Sequence, residues 1–279
     1  MSCWRNDISG DMMPLVARVS ATPVFGEPLL LVECNERVLV AADLHLGLEY
    51  ELWLGGISIP SQTEKILTRL KRSLAEVKPD RLLLLGDLKH NVPRTSWQER
   101  KEIPRFLKAL AQDVSVDIVP GNHDAGLADL APQGTRVHLS SGIVIDGAGY
   151  FHGHTWPDRE LLSAELLVAG HIHPAVRLKD PLGISHNERA WARATLSPAA
   201  VERQYGTAMS APEMVIVPAF NDLCGGLPLN EICEDERGPI LTLADMDGAR
   251  IFLLDGTDLG RLRNIRYARK DEKRLLPRD

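Results

Sequence analysis

Apolar residues occur along this chain in short blocks, and several blocks end in the same chemistry. Val38-Leu39-Val40-Ala41-Ala42 runs into Asp43-Leu44-His45, and Leu82 to Leu85 runs into Gly86-Asp87. Val116-Asp117-Ile118-Val119, then Pro120, runs into Gly121-Asn122-His123-Asp124, and Leu166 to Ala169 into Gly170-His171-Ile172-His173. Short apolar runs bounded by Gly and polar residues predict buried strands. A Gly-Asn-His-Asp tetrapeptide on its own reads as a turn, because Gly, Asn and Asp all accept turn backbone angles. Repetition of the arrangement at four strand ends turns the reading towards a site.

Elsewhere the period changes. Residues 28–33 and 38–42 predict a hairpin, and residues 48–60 a loop anchored by Trp53 and Leu54, with Trp53 packing inward. Ser61 and Glu64 predict a capping box for a helix whose buried stripe is Ile66, Leu67, Leu70 and Leu74. Residues 95–112 predict a second helix, with Arg100, Lys101 and Arg105 solvated. Residues 136–151 read as strand throughout and deliver His152-Gly153-His154, after which 157–164 form a short helix. Met214 to Val217, Ile240 to Ala244 and Ala249 to Leu254 predict further strands, the last two joined by a hairpin turn at Asp245 to Gly248. Pro218-Ala219-Phe220-Asn221 opens another strand-end loop.

Alternation of strand and helix in the first half predicts an α/β fold with a partly parallel sheet. The expected organisation is a loose lead-in over 1–14, one domain over 15–260 with a peripheral excursion at 180–212, and a charged, fraying tail over 261–279.

Composition narrows the function. At 279 residues and 44% hydrophobic, the chain can bury a full core. Its net charge of −6 weighs against a general coat of basic residues for nucleic acid, leaving only a local basic cleft open. Arg94, Arg100 and Lys101 read as ordinary solvated charge, and His138 and His186 as exposed residues without a role. Cys3, Cys34, Cys224 and Cys233 form no C-x-x-C pair, so neither a zinc ribbon nor a disulfide framework is expected. No apolar signal core or membrane-length run is found, and the expected location is the cytoplasm.

In an open α/β sheet, residues that follow different strands converge beyond the carboxyl ends. The groups so collected are Asp43, His45, Asp87, Asn122, His123, His152, His171 and His173. Imidazole, carboxylate and amide oxygen together suit Mn²⁺, Fe²⁺, Ni²⁺ or Zn²⁺ better than Ca²⁺ or Mg²⁺ alone. So many ligands exceed what one catalytic ion with an open position takes, but they fit two ions sharing a carboxylate. Two such ions can hold a water and a phosphoryl oxygen together, which implies phosphoester hydrolysis by direct attack of water.

Asp43-x-His45, Gly86-Asp87, Gly121-Asn122-His123-Asp124, His152-Gly153-His154 and Gly170-His171-x-His173, in that order, resemble the calcineurin-like metallophosphoesterase superfamily over roughly residues 28–255. Asp-Leu-His-Leu-Gly, Gly-Ile-x-Ile-Pro (56–60), Gly-Asp-Leu-Lys-His (86–90), Gly-His-x-His-Pro (170–174) and Pro-Ala-Phe-Asn (218–221) look like its archaeal SbcD-related branch, similar to the ligase-associated, PdeM-like DNA-repair phosphoesterases. The resemblance implies a four-layer αββα sandwich of two mixed β-sheets flanked by helices.

It also implies that Asp43, His45, Asp87 and His173 hold one metal while Asp87, Asn122, His152 and His171 hold the other. His123 would contact the phosphate and protonate the leaving oxygen, with Asp124 orienting its ring. Lys89, His90, His154 and Asn221 are candidate substrate contacts; a structural role for Lys89 and His90, and ligation in place of His152 for His154, remain open alternatives.

The expected activity is that of a two-metal phosphodiesterase or nuclease in DNA repair or nucleic-acid processing, with manganese first among the candidate ions. The alternative is a small-molecule phosphodiesterase or phosphomonoesterase. A non-catalytic partner of a helicase or ligase is the third reading, and the complete ligand set speaks against it. The expected partners are a phosphodiester substrate, DNA or RNA included, and by resemblance a helicase or ligase. No membrane is expected, and a homodimer is compatible with the sequence without being demanded by it.

Overall fold

The structure, a computed structural model, describes residues 18–207, 211–232 and 238–266. The expected lead-in, Cys3, Cys233 and the greater part of the expected tail lie outside the described residues.

The first sheet takes its strands in chain order: β1 (Ser20–Val24), β2 (Leu29–Glu33), β3 (Arg37–Ala42), β4 (Arg81–Leu85), β5 (Ser115–Val119) and β6 (Arg136–Val137). The predicted hairpin is the antiparallel β2–β3 pair, and β3 to β6 run parallel. Parallel strands covered on both faces read as continuous apolar runs, as Leu82 to Leu85 does.

The second sheet is mixed and contains β7 (Ile143–Ile145), β8 (Ala148–Phe151), β9 (Leu166–Ala169), β10 (Pro174–Lys179), β11 (Ser185–Thr195), β12 (Glu213–Ile216), β13 (Leu227–Pro228), β14 (Arg250–Leu253) and β15 (Asp258–Arg261). Within it β8, β9 and β12 are parallel neighbours.

Three apolar layers hold the sandwich together, and strand pleat sorts residues between them. Between the sheets, Val38, Val40, Leu83 and Leu85 meet Tyr150, Val168, Trp191, Val215 and Phe252. On the outer face of the first sheet, Leu82, Leu84 and Ile118 meet Leu70 of α2 (Thr63–Val77) and Phe106 of α3 (Trp97–Leu110). On the outer face of the second, Leu167, Ala192 and Ile216 meet Val201 of α4 (Pro198–Tyr205) and Ile240 of α5 (Pro239–Leu243). This is the expected helix–sheet–sheet–helix order.

Several local expectations are corrected. Residues 48–54 form a helix, α1 (Leu48–Leu54), entered through Gly47 at φ 90° and left at Gly55, and Trp53 is 59% exposed instead of packed inward. Ser61 does not cap α2. Its hydroxyl donates to Glu102 (2.8 Å), and the capping box belongs to Ser96 and Glu99 at the start of α3.

Residues 239–243 are helical, because Pro239 favours a first helical position, so no hairpin joins 240–244 to 249–254. The supposed excursion contains β11, whose Ala190, Trp191 and Ala192 are fully buried near the middle of the second sheet. Its first residues, Ser185 to Glu188, are exposed and polar, and they mask the strand pattern. Leu262 of α6 (Leu262–Ile265) is buried, so the start of the supposed tail is anchored. His138 is not idle; its Nε2 lies 2.5 Å from the fully buried Asp117, which Arg81 also pairs at 2.6 Å.

Candidate metal centre

β3, β4 and β5 of one sheet and β8 and β9 of the other all present their carboxyl ends to the same edge. The two edges are drawn together where Phe220 N–H donates to the Ala42 carbonyl (2.9 Å) and Ala219 bridges Ala42. The chain turns sharply at each strand end. Asp43, His45, Asp87, His171 and His173 all have positive φ, between 43° and 69°. That conformation costs a non-glycine residue of order 1 kcal/mol or more and persists where the surroundings impose it.

These turns bring donors from both sheets within reach of one another. Asp43, His45 and Asp87 present ligand atoms within 4.8 Å of each other, and so do Asp87, His152 and His171. Asp87 belongs to both groups. Its Oδ2 lies 3.7 Å from His45 Nε2 and 3.3 Å from His152 Nε2, while its Oδ1 accepts the His123 N–H at 2.8 Å. His173 Nε2 lies 3.3 Å from Asp43 Oδ1 and 3.4 Å from His45 Nε2. Asn122 sits in the turn between, with its side chain exposed.

Neighbouring groups orient the imidazoles. His173 Nδ1 meets the Gly225 carbonyl (3.1 Å) and His152 Nδ1 the Leu85 carbonyl (3.2 Å), which in each case leaves Nε2 to face the centre. Such fixing of the tautomer through the second nitrogen is the usual support of a metal-ligating histidine. Two glycines are required by close approach. A Cβ on Gly86 would meet His152 Nδ1 at 2.0 Å, and one on Gly121 would meet Asp87 Oδ1 at 2.1 Å.

Charge balance in the centre favours a cation. Burial holds the His45 imidazole at about 3 and, with repulsion from His152, His171 at about 4. Burial opposes the charged form of His152 too, but Asp87 and Asp43 outweigh it and lift this imidazole to about 9. Burial would raise Asp87, yet His152 and the His123 N–H hold it well below the ordinary carboxylate range. Two carboxylates among buried imidazoles thus retain positive charge at His152. The Nε2 of His152 is buried without a hydrogen-bond partner despite its nearness to Asp87, an orphaned nitrogen at which a metal could take the place of the proton.

The remaining expected residues divide. His90 is at the centre: its Nδ1 lies 3.1 Å from His45 Nδ1, its Nε2 lies 2.5 Å from Glu51, and its ring stacks on His123. His154 stands beside His152 and His171, with a buried, unpartnered Nδ1.

Asp124 does not orient the His123 ring, whose Nδ1 instead meets the His90 carbonyl. The buried Asp124 carboxylate accepts the N–H groups of Gly121 (2.9 Å) and Lys89 (3.1 Å), tying two strand-end turns together, and burial lifts it to about 6. Lys89 is fully buried with Nζ on the Asn91 carbonyl, so it does not line the pocket. Asn221 is buried as well; it donates to the Leu44 carbonyl (2.9 Å) and accepts Leu223 N–H (2.9 Å), clamping the Asp43 turn instead of forming a rim.

Cys224, which nothing adjacent in sequence marks as a site residue, also reaches the centre. The loop after β12 brings its sulfur within 4.8 Å of His45 and His173 ligand atoms, and burial pushes the thiol well up.

Residues 36–154 match the family described as calcineurin-like phosphoesterase. The fold of the chain is shared with a solved structure. The crystal structure of Pseudomonas putida nuclease MPE aligns with this chain at a TM-score of 0.51 and 20% identity, covering 87% of this chain and 100% of that one. YfcE, a phosphoesterase from E. coli, aligns at a TM-score of 0.37 and 16% identity over 80% of this chain and 97% of that one.

Mouse serine/threonine-protein phosphatase CPPED1 is 43% identical over 56 residues, 19% of this chain and 18% of that protein, and its rat counterpart is 41% identical over the same length. The chain therefore spans under a fifth of the curated relatives it matches. Among the described residues, no helix is long and apolar enough to cross a membrane.

Proposed function

We propose that this protein is a phosphoesterase that hydrolyses phosphodiesters at a dinuclear divalent-metal centre, with manganese the favoured ion and nucleic acid the favoured substrate class. The observation that carries the reading is the position of Asp87, shared by the Asp43/His45 group and the His152/His171 group. Asp43, His45, Asp87 and His173 would hold one ion, and Asp87, Asn122, His152 and His171 the other. When bound, two such ions supply an activated water and neutralise charge on a phosphoryl oxygen.

The chain's own residues do the rest. The His90 carbonyl fixes the His123 ring at Nδ1, leaving Nε2 to donate a proton to the departing oxygen. His154 would hold a phosphate oxygen, a role that its unpartnered Nδ1 beside the His152/His171 group supports. The fold shared with a protein named as a nuclease, and the motif resemblance to SbcD-related repair enzymes, support a nucleic-acid setting.

The test is hydrolysis of bis-p-nitrophenyl phosphate. Turnover should depend on added Mn²⁺, stop with chelator and fall at least about a hundredfold in His123→Ala, the usual contribution of a positioned acid. Turnover of p-nitrophenyl phosphate alone would favour a phosphomonoesterase, and turnover indifferent to chelator would contradict the reading.

A further inference from the structure

Beside the metal centre lies a surface that the chemistry described so far does not use. α1 carries Tyr50 and Trp53, stacked with ring centroids 5.9 Å apart, followed by Leu54 and Ile57, all solvent-exposed. The segment leading into α3 exposes Val92 and Trp97, the latter at 74%.

Three contacts join the two pieces: Asn91 to the Gly47 carbonyl (3.1 Å), Gln98 to Glu49 (3.3 Å) and His90 to Glu51 (2.5 Å). His90 also touches His45 and stacks on His123, so the aromatic wall continues directly from the reaction centre.

Charge on this wall is sorted by depth, with Glu49 and Glu99 buried and Glu102 half-buried, while three cations and Glu51 are exposed. Its carboxylates are occupied: Glu49 by Gln62 N–H and Gln98, Glu51 by His90, Glu99 by the N–H groups of His90, Asn91 and Ser96, and Glu102 by Ser61 and Thr63. Arg94, Arg100 and Lys101 are exposed and, among the described residues, have no carboxylate partner. Trp97, Arg100 and Lys101 share one face of α3 at i, i+3 and i+4, with Lys101 Nζ 4.9 Å from the Trp97 ring centroid. Exposed rings alternating with free cations match a ligand of flat π-faces joined by anionic links.

We infer that the wall formed by Tyr50, Trp53 and Trp97 with Arg94, Arg100 and Lys101 is a stacking platform for single-stranded nucleic acid, which feeds a phosphodiester to the His90/His123 side of the centre. This rests on the phosphodiesterase reading and deepens it by naming the substrate's form. Bases stack on the indoles, which is sequence-tolerant, while the basic side chains follow the backbone. The net charge of −6 is spread over the whole chain, whereas Arg94, Arg100 and Lys101 are exposed beside the rings themselves.

The test measures binding separately from catalysis. Fluorescence anisotropy would follow a labelled, phosphorothioate-linked oligothymidylate with the full-length protein, in Mn²⁺ and again in chelator. Trp53→Ala and Trp97→Ala should each weaken binding by roughly tenfold, the usual cost of losing one stacked base. Arg94→Glu with Lys101→Glu should flatten the salt dependence. Leu182→Ala, at an exposed position on the β10–β11 turn, should change neither.

Thermal melts confirm that each variant is folded. No binding by wild type, or equal binding by folded tryptophan variants, overturns the inference. So does a tryptophan variant that converts a dimer to a monomer with oligonucleotide affinity intact, which would make the wall a contact between copies. Failure of the small-diester assay with this binding intact would instead remove the catalytic reading.

Discussion

Side-chain direction decides most of what this site can do, and direction is the part that sequence conveys least. Asp43, His45, Asp87, His152, His171 and His173 were legible because each follows a buried strand, and strand ends in an α/β fold share an edge. Lys89 and Asn221 occupy equally suggestive positions beside the motifs, yet both side chains turn inward, Lys89 to the Asn91 carbonyl of its own turn and Asn221 to the Leu44 carbonyl of another. Cys224 reaches the centre only through the packing of a loop, which no local spacing records.

Asp222, on that same loop, gives a residue-scale prediction. It pairs Lys65 (2.8 Å), Arg69 (3.0 Å) and Arg189 (3.1 Å). Burial alone would raise its carboxyl, but the Lys65 hydrogen bond and the two guanidinium charges hold it below the ordinary value. A carboxyl lowered in the folded state stabilises fully above its unfolded value and loses that contribution as pH falls through the folded one. With the side chain partly exposed, the contribution is about 1 kcal/mol. Asp222→Asn should therefore lower the melting temperature by about 2–4 °C at pH 7, with the gap closing as pH falls below about 4. A gap that stays constant across this range would show that the charge is not responsible.

Among the elements, strands were read more faithfully than the pieces between them. β9 is apolar throughout, β3 and β4 are apolar after a leading arginine and β5 is apolar apart from Ser115 and Asp117, so these announce themselves, whereas β11 begins with four exposed polar residues and hides. α1 was missed because the glycines at 47 and 55 suggest a loop, although Gly47 in the left-handed region starts the helix and Gly55 ends it. That misreading concealed the aromatic wall, since a tryptophan in a loop is expected to pack and one on the outer face of a helix stays exposed.

The strand-to-turn junctions carry the tightest constraint on the site. At Gly121 any Cβ collides with the Asp87 carboxylate, which cannot move without leaving both ligand groups. Gly121→Ala should therefore keep the far-ultraviolet circular dichroism of the wild type while retaining at most one tightly bound Mn²⁺ per chain in equilibrium dialysis. Retention of two would mean that the turn yields and that the close approach is unimportant.

At the scale of the whole molecule, two sheets packed through a shared apolar layer bring parallel strand ends to one edge, and neither sheet supplies a complete site. The first contributes Asp43, His45, Asp87 and His123; the second contributes His152, His171 and His173. The layer order was legible because apolar runs on one sheet require partners on both faces. Which histidine meets which carboxylate follows from the crossing of the sheets, visible only in three dimensions. Asp87, within 4 Å of imidazoles from both sheets, is where the halves become one site.

The most direct test of that arrangement is electron paramagnetic resonance of the metal-stripped protein as Mn²⁺ is titrated in. A carboxylate shared by two ions predicts uptake of two per chain and an exchange-coupled spectrum that Asp87→Asn abolishes. Saturation at one ion, or two that remain magnetically independent in the wild type, would contradict the account.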